Sequence, residues 1–267
     1  MSKALQDRVV IVTGAGSGIG RASALAFARA GAVVVASDVN EDAVAETAGM
    51  VVRAGGRAVP NRTDVCDAGQ VGDLVGAAVK QFGRLEVFFA NAGGQTPKPT
   101  LDTTPDDFRR TVELNLYSVY YAAYAALPVM LERRHGVILA TTSGAGLNAV
   151  PGLIAYGAAK AGIISLVRNI AVEFGAQGIR ANAIAPGAMD TPPLRSYIGS
   201  LPGGADGYIG EMPSGRLGTP DEIAQVAVFL ASDEASYVNG TCLPVDGGTS
   251  ALLAQPSGRP APGKQGR

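Results

Sequence analysis

Short apolar runs rich in Val, Ile and Ala alternate with Ala-rich stretches at helical spacing along most of the chain. Residues 9–12, Val-Val-Ile-Val, predict a strand, followed by a helix over 19–30. Residues 33–36 predict a second strand and 41–53 a helix. A short strand over 57–61 precedes a helix over 68–82, and residues 85–89 read as a fourth strand. A long helix is expected over 105–131, kinked or ended by Pro128, which lacks the N–H that an interior helical position needs. Residues 137–140 read as a strand, 155–175 as a helix and 180–184 as a strand. A Gly/Pro-rich stretch over 186–218 follows, then a helix over 220–231 and a last strand over 241–244. Runs that are apolar at every position belong in a sheet buried on both faces. Their alternation with helices implies right-handed crossovers and an α/β, doubly wound parallel sheet of about seven strands, helices on both faces. No break in composition marks a second domain, so residues 1–254 are expected to fold as one unit, with 255–267 as a flexible Gly/Pro-rich tail.

Composition removes several functions. Lys and Arg number 22 against 23 Asp and Glu, and no basic cluster exists to hold nucleic acid. The most basic spot, Arg133-Arg134, falls at an expected helix end, where cations favour the dipole. The two cysteines, Cys66 and Cys242, show no metal-ligand spacing and fit a reduced, cytoplasmic compartment. The first residues hold no apolar signal core, and no stretch reads as the roughly 20 apolar residues of a spanning helix. A soluble protein without membrane or nucleic-acid partners is expected. His135 is the only histidine, so a Ser-His-Asp triad could form only around it and a multi-histidine zinc site cannot form; no metal is expected.

The first strand runs into Thr13-Gly14-Ala15-Gly16-Ser17-Gly18-Ile19-Gly20 and then a helix. Glycines there permit a tight turn and close approach of a pyrophosphate to the N–H groups of the helix start. The spacing is G-x-x-x-G-x-G through Gly14, Gly18 and Gly20, because Ile19 interrupts G-x-G-x-x-G. A glycine turn can also be purely steric. Asp38 ends the second strand 18 positions after Gly20, near the offset at which a carboxylate meets the adenosine ribose. A carboxylate there accepts from ribose hydroxyls and repels a 2′-phosphate, and no basic residue stands at Ser17 or Val39 to neutralise one. NAD is therefore expected over NADP, in a Rossmann-like fold. The alternative is that Asp38 caps the next helix, with Asn40 as a rival cap.

Tyr156 and Lys160 stand four residues apart on one face of the helix after the fifth strand. A phenol near pKa 10 is too weakly acidic to serve as a base at neutral pH, and a nearby ammonium and a positive nicotinamide ring would lower it. Ser143 lies 13 positions upstream, at the end of the preceding strand, where its hydroxyl could hold a carbonyl or alcohol oxygen. Taken alone, Tyr156 and Lys160 read first as an ordinary amphipathic surface pair. Placed at the C-terminal edge of a dinucleotide-binding sheet, the three read as an acid/base centre.

With these residues in order, the sequence resembles the short-chain dehydrogenase/reductase family, single-domain type, over about residues 7–250. The matching stretches are residues 13–20, Asp64-Val65, Asn91-Ala92-Gly93, Asn115, Ser143, Tyr156-x-x-x-Lys160, Pro186-Gly187 with Thr191, and Asp246-Gly247-Gly248. The resemblance implies a dinucleotide-binding catalytic domain with Tyr156 as general acid/base and Lys160 lowering its pKa and holding the nicotinamide ribose. It implies that Ser143 holds the reacting oxygen and that Asn115, in the long helix, supports a water relaying protons to Lys160. Asp64 would meet the adenine and Thr191 the carboxamide; unaided, Asp64 reads as a helix cap beside Asp67 and Thr191 as loop polarity. Gly14, Ser17, Gly18, Ile19, Gly20, Asp38, Val65, Asn91, Ala92, Gly93, Pro186 and Gly187 complete the expected cofactor site. Two departures are Ala90 where the family often has Asn, and Thr142-Ser143 for its Ser-Ser.

The substrate pocket is expected to use Gly94, Gln95, Ala145 and Met189 beside Ser143 and Tyr156, with a substrate loop at about 187–218 whose glycine-rich segment 197–213 suits a lid. No cation stands out to anchor an acid, although Arg195 is a candidate, so a neutral secondary alcohol or ketone is expected. The resemblance implies a homotetramer through the Ala-rich faces of the long helix and of the helix carrying Lys160. Two rival readings are an NADPH-dependent 3-oxoacyl reductase-like enzyme, opposed by Asp38, and a non-catalytic NAD-binding scaffold, opposed by the filled catalytic positions.

Overall fold

Strands separated by helix-length segments cannot be joined by tight turns, so each connection must cross over and bring the next strand in parallel. The computed structural model describes residues 4–252, so the expected tail at 255–267 lies outside the described residues. The strands are β1 (Val9–Thr13), β2 (Val33–Asp38), β3 (Arg57–Arg62), β4 (Val87–Ala90), β5 (Gly136–Thr141), β6 (Ile179–Pro186) and β7 (Cys242–Val245). They form one seven-stranded sheet in the order β3-β2-β1-β4-β5-β6-β7, and every pairing is parallel, as expected. The helices are α1 (Gly18–Arg29), α2 (Glu41–Arg53), α3 (Ala68–Phe82), α4 (Pro105–Val112), α5 (Ser118–Glu132), α6 (Ile154–Phe174), α7 (Pro192–Gly199), α8 (Gly204–Gly210) and α9 (Pro220–Ala231).

Alternate side chains of each strand feed two separate cores. Val9, Ile11, Val33, Val35, Phe88 and Ile138 share one with buried residues of α3, α5 and α6. Val10, Val12, Val34, Phe89, Val137 and Leu139 share the other with α1 and α9. Burial on both faces explains why these strands are apolar over most of their length, with Thr13, Ser37, Asp38 and Thr141 at their C-terminal ends. Edge strand β3, Arg57-Ala58-Val59-Pro60-Asn61-Arg62, is the exception: exposed or half-buried throughout, it carries the charges and proline that blunt a free edge.

Three expectations needed revision, and the alternative readings of Asp38 and Asp64 as helix caps fall as well. The predicted helix over 105–131 is interrupted by a π-helical turn, Glu113–Tyr117, between α4 and α5, and Pro128 neither ends α5 nor prevents its running to Glu132. Taken as one span, Pro105–Glu132 is long and apolar enough by length and composition to cross a membrane, contrary to the sequence expectation. Here one side of it packs on the sheet, and the other leaves Tyr117, Tyr120 and Tyr124 exposed. The Gly/Pro-rich stretch is not plain loop: it holds α7, begun by Pro192 after Thr191, and α8, begun after Gly203 at φ 91°. Finally, Asn40 caps α2 by accepting from the Ala43 N–H at 3.1 Å, and Asp67 caps α3 through Gly69 and Gln70, so neither Asp38 nor Asp64 is a helix cap.

Candidate active site

Strand order reverses direction between β1 and β4, and the crevice at such a switch point is where open parallel sheets take ligands. The turn after β1 and the segment after β4 meet there with almost no clearance. A Cβ on Gly14, at φ +66°, would lie 2.9 Å from the Ala92 Cα, and one on Gly20 would lie 2.0 Å from the Gly14 carbonyl oxygen. Those two glycines are therefore demanded by packing. Gly18 differs: at φ +50° its added Cβ would meet only the Thr191 methyl, at 3.8 Å. Ser17 caps α1 without any side-chain hydrogen bond, and the first turn of α1 carries no acid. The helix start thus keeps its N–H donors for an anion, and Thr191, at the base of the lid, stands over it. These residues fit the pyrophosphate of a dinucleotide.

The Asp38 carboxylate is fixed at the mouth of the same turn. Its Oδ2 accepts from the Gly16 N–H at 2.9 Å and its Oδ1 from the Asn40 N–H at 3.0 Å. Asp64, after β3, accepts from the Cys66 N–H at 2.9 Å, and Val65 is buried beside it in the core. The side chain of Asn91 is spent on the sheet, donating to the Thr13 carbonyl at 3.1 Å and accepting from the Thr141 hydroxyl at 3.0 Å. Thr13 in turn accepts from the Asn91 and Ala92 N–H groups, joining the ends of β1, β4 and β5. Pro186 ends β6, and Gly187 packs where a Cβ would come within 2.7 Å of Asp246.

Tyr156, Ser143, Lys160 and Asn115 converge beyond the ends of β4 and β5. Lys160 is 2% exposed, so the pair is no surface feature. Its ammonium donates to the Thr141 carbonyl at 2.8 Å and lies 5.4 Å from the centroid of the Tyr156 ring. Burial pushes its pKa from 10.5 down to about 7. Burial also holds the Tyr156 phenol above its ordinary value, while the adjacent Ser143 hydroxyl pulls it down. The lowering of the Tyr156 pKa by Lys160 rests on the family resemblance; what shifts the phenol in this fold is its own burial and Ser143. Ser143 also accepts from the Ala145 N–H at 3.1 Å, so the turn Gly144–Gly146 fixes its rotamer.

Asn115 sits in the π-turn and is fully buried. Its Nδ2 donates to the Thr111 and Gly94 carbonyls at 2.9 and 2.8 Å, and its Oδ1 accepts from the Gly94 N–H at 3.1 Å. The extra residue of a π-turn re-aims this side chain inward, a common use of such turns at functional sites. A Cβ on Gly93 would come within 2.7 Å of Asn115 Oδ1 and 3.2 Å of Lys160 Nζ, so both polar atoms face one point.

Other expected residues fall differently. Gln95 is exposed at the rim, and Gly94 and Ala145 border the centre. Met189 is 7% exposed, turned into the core against Gly218 rather than free at the mouth. Arg195 is bonded through Nε and Nη2, one edge of its guanidinium, to Asp190, at 2.6 Å for Nη2, in a solvent-exposed pair. His135 lies in the turn before β5, at the opposite end of that six-residue strand from Ser143, about 20 Å away by strand rise. It forms no triad with Ser143. The sequence reading missed Thr141, Gly146 and Arg21, and named Thr142 only as a departure from the family's pattern. Thr142 donates to the Lys160 carbonyl at 2.6 Å, and a Cβ on Gly146 would strike that carbonyl carbon at 2.8 Å.

The chain has recognisable relatives. The model of a family described as enoyl-(acyl carrier protein) reductase matches residues 14–250. The levodione reductase of Leifsonia aquatica is 40% identical over 253 residues, covering 92% of this chain and 95% of that protein. The crystal structure of levodione reductase superimposes with a TM-score of 0.90 at 39% identity, covering 93% of this chain and all of that one. The 7α-hydroxysteroid dehydrogenase of Escherichia coli K12 is 40% identical, covering 91% of this chain and 94% of that protein. A structure of a 7α-hydroxysteroid dehydrogenase complexed with NADH and 7-oxo glycochenodeoxycholic acid matches with a TM-score of 0.87 at 38% identity, covering 92% and 96%. The 3-oxoacyl-[acyl-carrier-protein] reductase FabG of Thermotoga maritima is 35% identical, covering 91% and 98%. By fold, by motif and by relatives across nearly its whole length, the chain belongs to the short-chain dehydrogenase/reductase family.

Proposed function

We propose that this chain is an NAD-dependent oxidoreductase interconverting a secondary alcohol and a ketone, with Tyr156 as the general acid/base. The observation that carries the reading is the convergence of Tyr156, Ser143 and buried Lys160 beyond β5, next to a glycine turn whose helix start is uncapped. Bound nicotinamide supplies the hydride chemistry. The protein's residues manage the proton on the substrate oxygen: the Tyr156 oxygen takes it in oxidation and returns it in reduction. Ser143 holds that oxygen through its hydroxyl. Lys160, with a pKa of about 7, exchanges a proton near neutrality, and Asn115 Oδ1 faces the same point beside Gly93.

Asp38 favours NAD. Held by two backbone N–H groups, its carboxylate cannot swing away cheaply, and a 2′-phosphate would face its charge. That weighs against an NADPH-dependent 3-oxoacyl reductase, although FabG is among the relatives. A neutral, apolar substrate is supported by Leu147, Val150 and Ile154, large apolar side chains exposed on the segment between Ser143 and Tyr156. Relatives named for a hydroxysteroid and for levodione support it too. The exposed tyrosines of α5, with Val172 of α6, support a homotetramer through those helices. A panel of secondary alcohols with NAD, followed by NADH absorbance, tests the activity. Light scattering on the eluting protein tests the assembly, and a monomer at working concentration would refute it.

A further inference from the structure

The pocket that would take the adenosine ribose has a cation beside it that the glycine motif does not announce. Gly16 is gripped at both ends: its N–H donates to Asp38 Oδ2 at 2.9 Å, and its carbonyl accepts from Arg21 Nη2 at 2.6 Å. Because the N and O of one residue are only a few bonds apart, the guanidinium and the carboxylate lie within about 10 Å of each other. The first turns of α2 close the same spot. A Cβ on Gly16 would meet Ala43 at 3.0 Å, and Thr47, one turn further along α2, accepts from Arg21 Nε at 3.0 Å. The remaining charge partner is Glu46, whose Oε2 takes Arg21 Nη2 at 2.6 Å. Among the described residues Arg21 Nη1 has no hydrogen-bond partner.

We propose that Arg21 and Glu46 are further cofactor-specificity residues, resting on the reading of Asp38 above. Arg21 is a latent 2′-phosphate anchor, and Glu46 keeps it committed elsewhere. The Arg21–Glu46 pair is partly exposed, with side chains 28% and 58% accessible. A solvent-facing pair of that kind is weak and exchanges partners readily, whereas a guanidinium meets a phosphate through two parallel bonds. Preference for NAD is thus maintained by two acids, one that repels the phosphate directly and one that occupies its would-be counter-ion.

The test is equilibrium binding, without turnover. NADP and NAD are titrated calorimetrically into the full chain, the Asp38→Ser variant, and Asp38→Ser combined with Glu46→Gln or with Arg21→Gln. Asp38→Ser should lower the ratio of the NADP Kd to the NAD Kd, and adding Glu46→Gln should lower it several-fold further. Adding Arg21→Gln instead should raise the ratio again by about tenfold, the worth of a charged hydrogen bond. The two additions push in opposite directions, so a folding defect in one leaves the other informative. Double variants whose ratio equals that of Asp38→Ser overturn the proposal. A wild type that already binds NADP more tightly than NAD overturns instead the Asp38 reading beneath it.

Discussion

Replacing Lys160 with methionine should stabilise the fold near neutral pH while abolishing turnover. The wild-type ammonium is 2% exposed and has one protein acceptor, the Thr141 carbonyl at 2.8 Å. Burial lowers its pKa from 10.5 to about 7. The unfolded chain, with the ordinary lysine pKa, therefore holds the proton more tightly than the folded one. At about 1.4 kcal/mol per pKa unit, the fold carries a cost on the order of 4–5 kcal/mol below about pH 7. Between about 7 and 10.5 the unfolded lysine progressively loses its advantage, so wild-type stability rises with pH through that window. Methionine has a similar volume and no proton to titrate. The margin of Lys160→Met over wild type should thus be largest near about pH 6 and shrink by about 2–3 kcal/mol by about pH 9. The lost hydrogen bond to Thr141 subtracts about 1 kcal/mol from the margin without changing that slope. Denaturant titrations at several pH values and one fixed protein concentration measure it, since assembly makes stability depend on concentration. A margin that stays constant, or widens as pH rises, would refute the reasoning.

Other outcomes are expected. Tyr156→Phe should lower kcat/KM by a factor of about 10²–10⁴ or more while NADH still binds, and unchanged turnover would exclude the acid/base role. Gly93→Ala places a methyl 2.7 Å from Asn115 Oδ1 and should cost about 1–3 kcal/mol in thermal stability and reduce kcat; a neutral result would mean that the π-turn yields easily. Asn115→Ala orphans the Gly94 and Thr111 groups it binds and should destabilise by about 1–3 kcal/mol. If kcat per folded molecule is unchanged in that variant, Asn115 only holds the turn. Gly20→Ala, aimed at the Gly14 carbonyl 2.0 Å away, should abolish cofactor binding in a calorimetric titration even where protein folds.

Much of this molecule is legible in residues close together in sequence. β1, β2 and β5 are apolar except at their ends because both of their faces are covered, and their order with helices dictates parallel crossovers. Tyr156 and Lys160 share a helix face by spacing alone, and Ser143 follows from the strand before them. The onset of α7 was readable as well: Thr191-Pro192 is a cap residue followed by proline, yet the surrounding glycines masked it. The π-turn was not readable. Pro105–Glu132 has helical periodicity throughout, and only the bonds from Asn115 to Gly94, supplied by the chain after β4, select the extra residue there.

Sequence by itself therefore determined the sheet, the glycine turn and the identity of the reactive groups, because periodicity and i, i+4 spacing are local properties of a backbone. Tertiary structure decided what those groups are chemically. Lys160 sits near a pKa of 7 because packing removes water from it, and its acceptor is a carbonyl 19 positions away. Asp38 is a fixed carboxylate rather than a helix cap because Gly16 and Asn40 hold it. Arg21 stands beside it through the closure of α1 on α2, and Arg195 is engaged by Asp190. Charge state and partner choice depend on desolvation and on contacts between distant segments, and no local pattern encodes either.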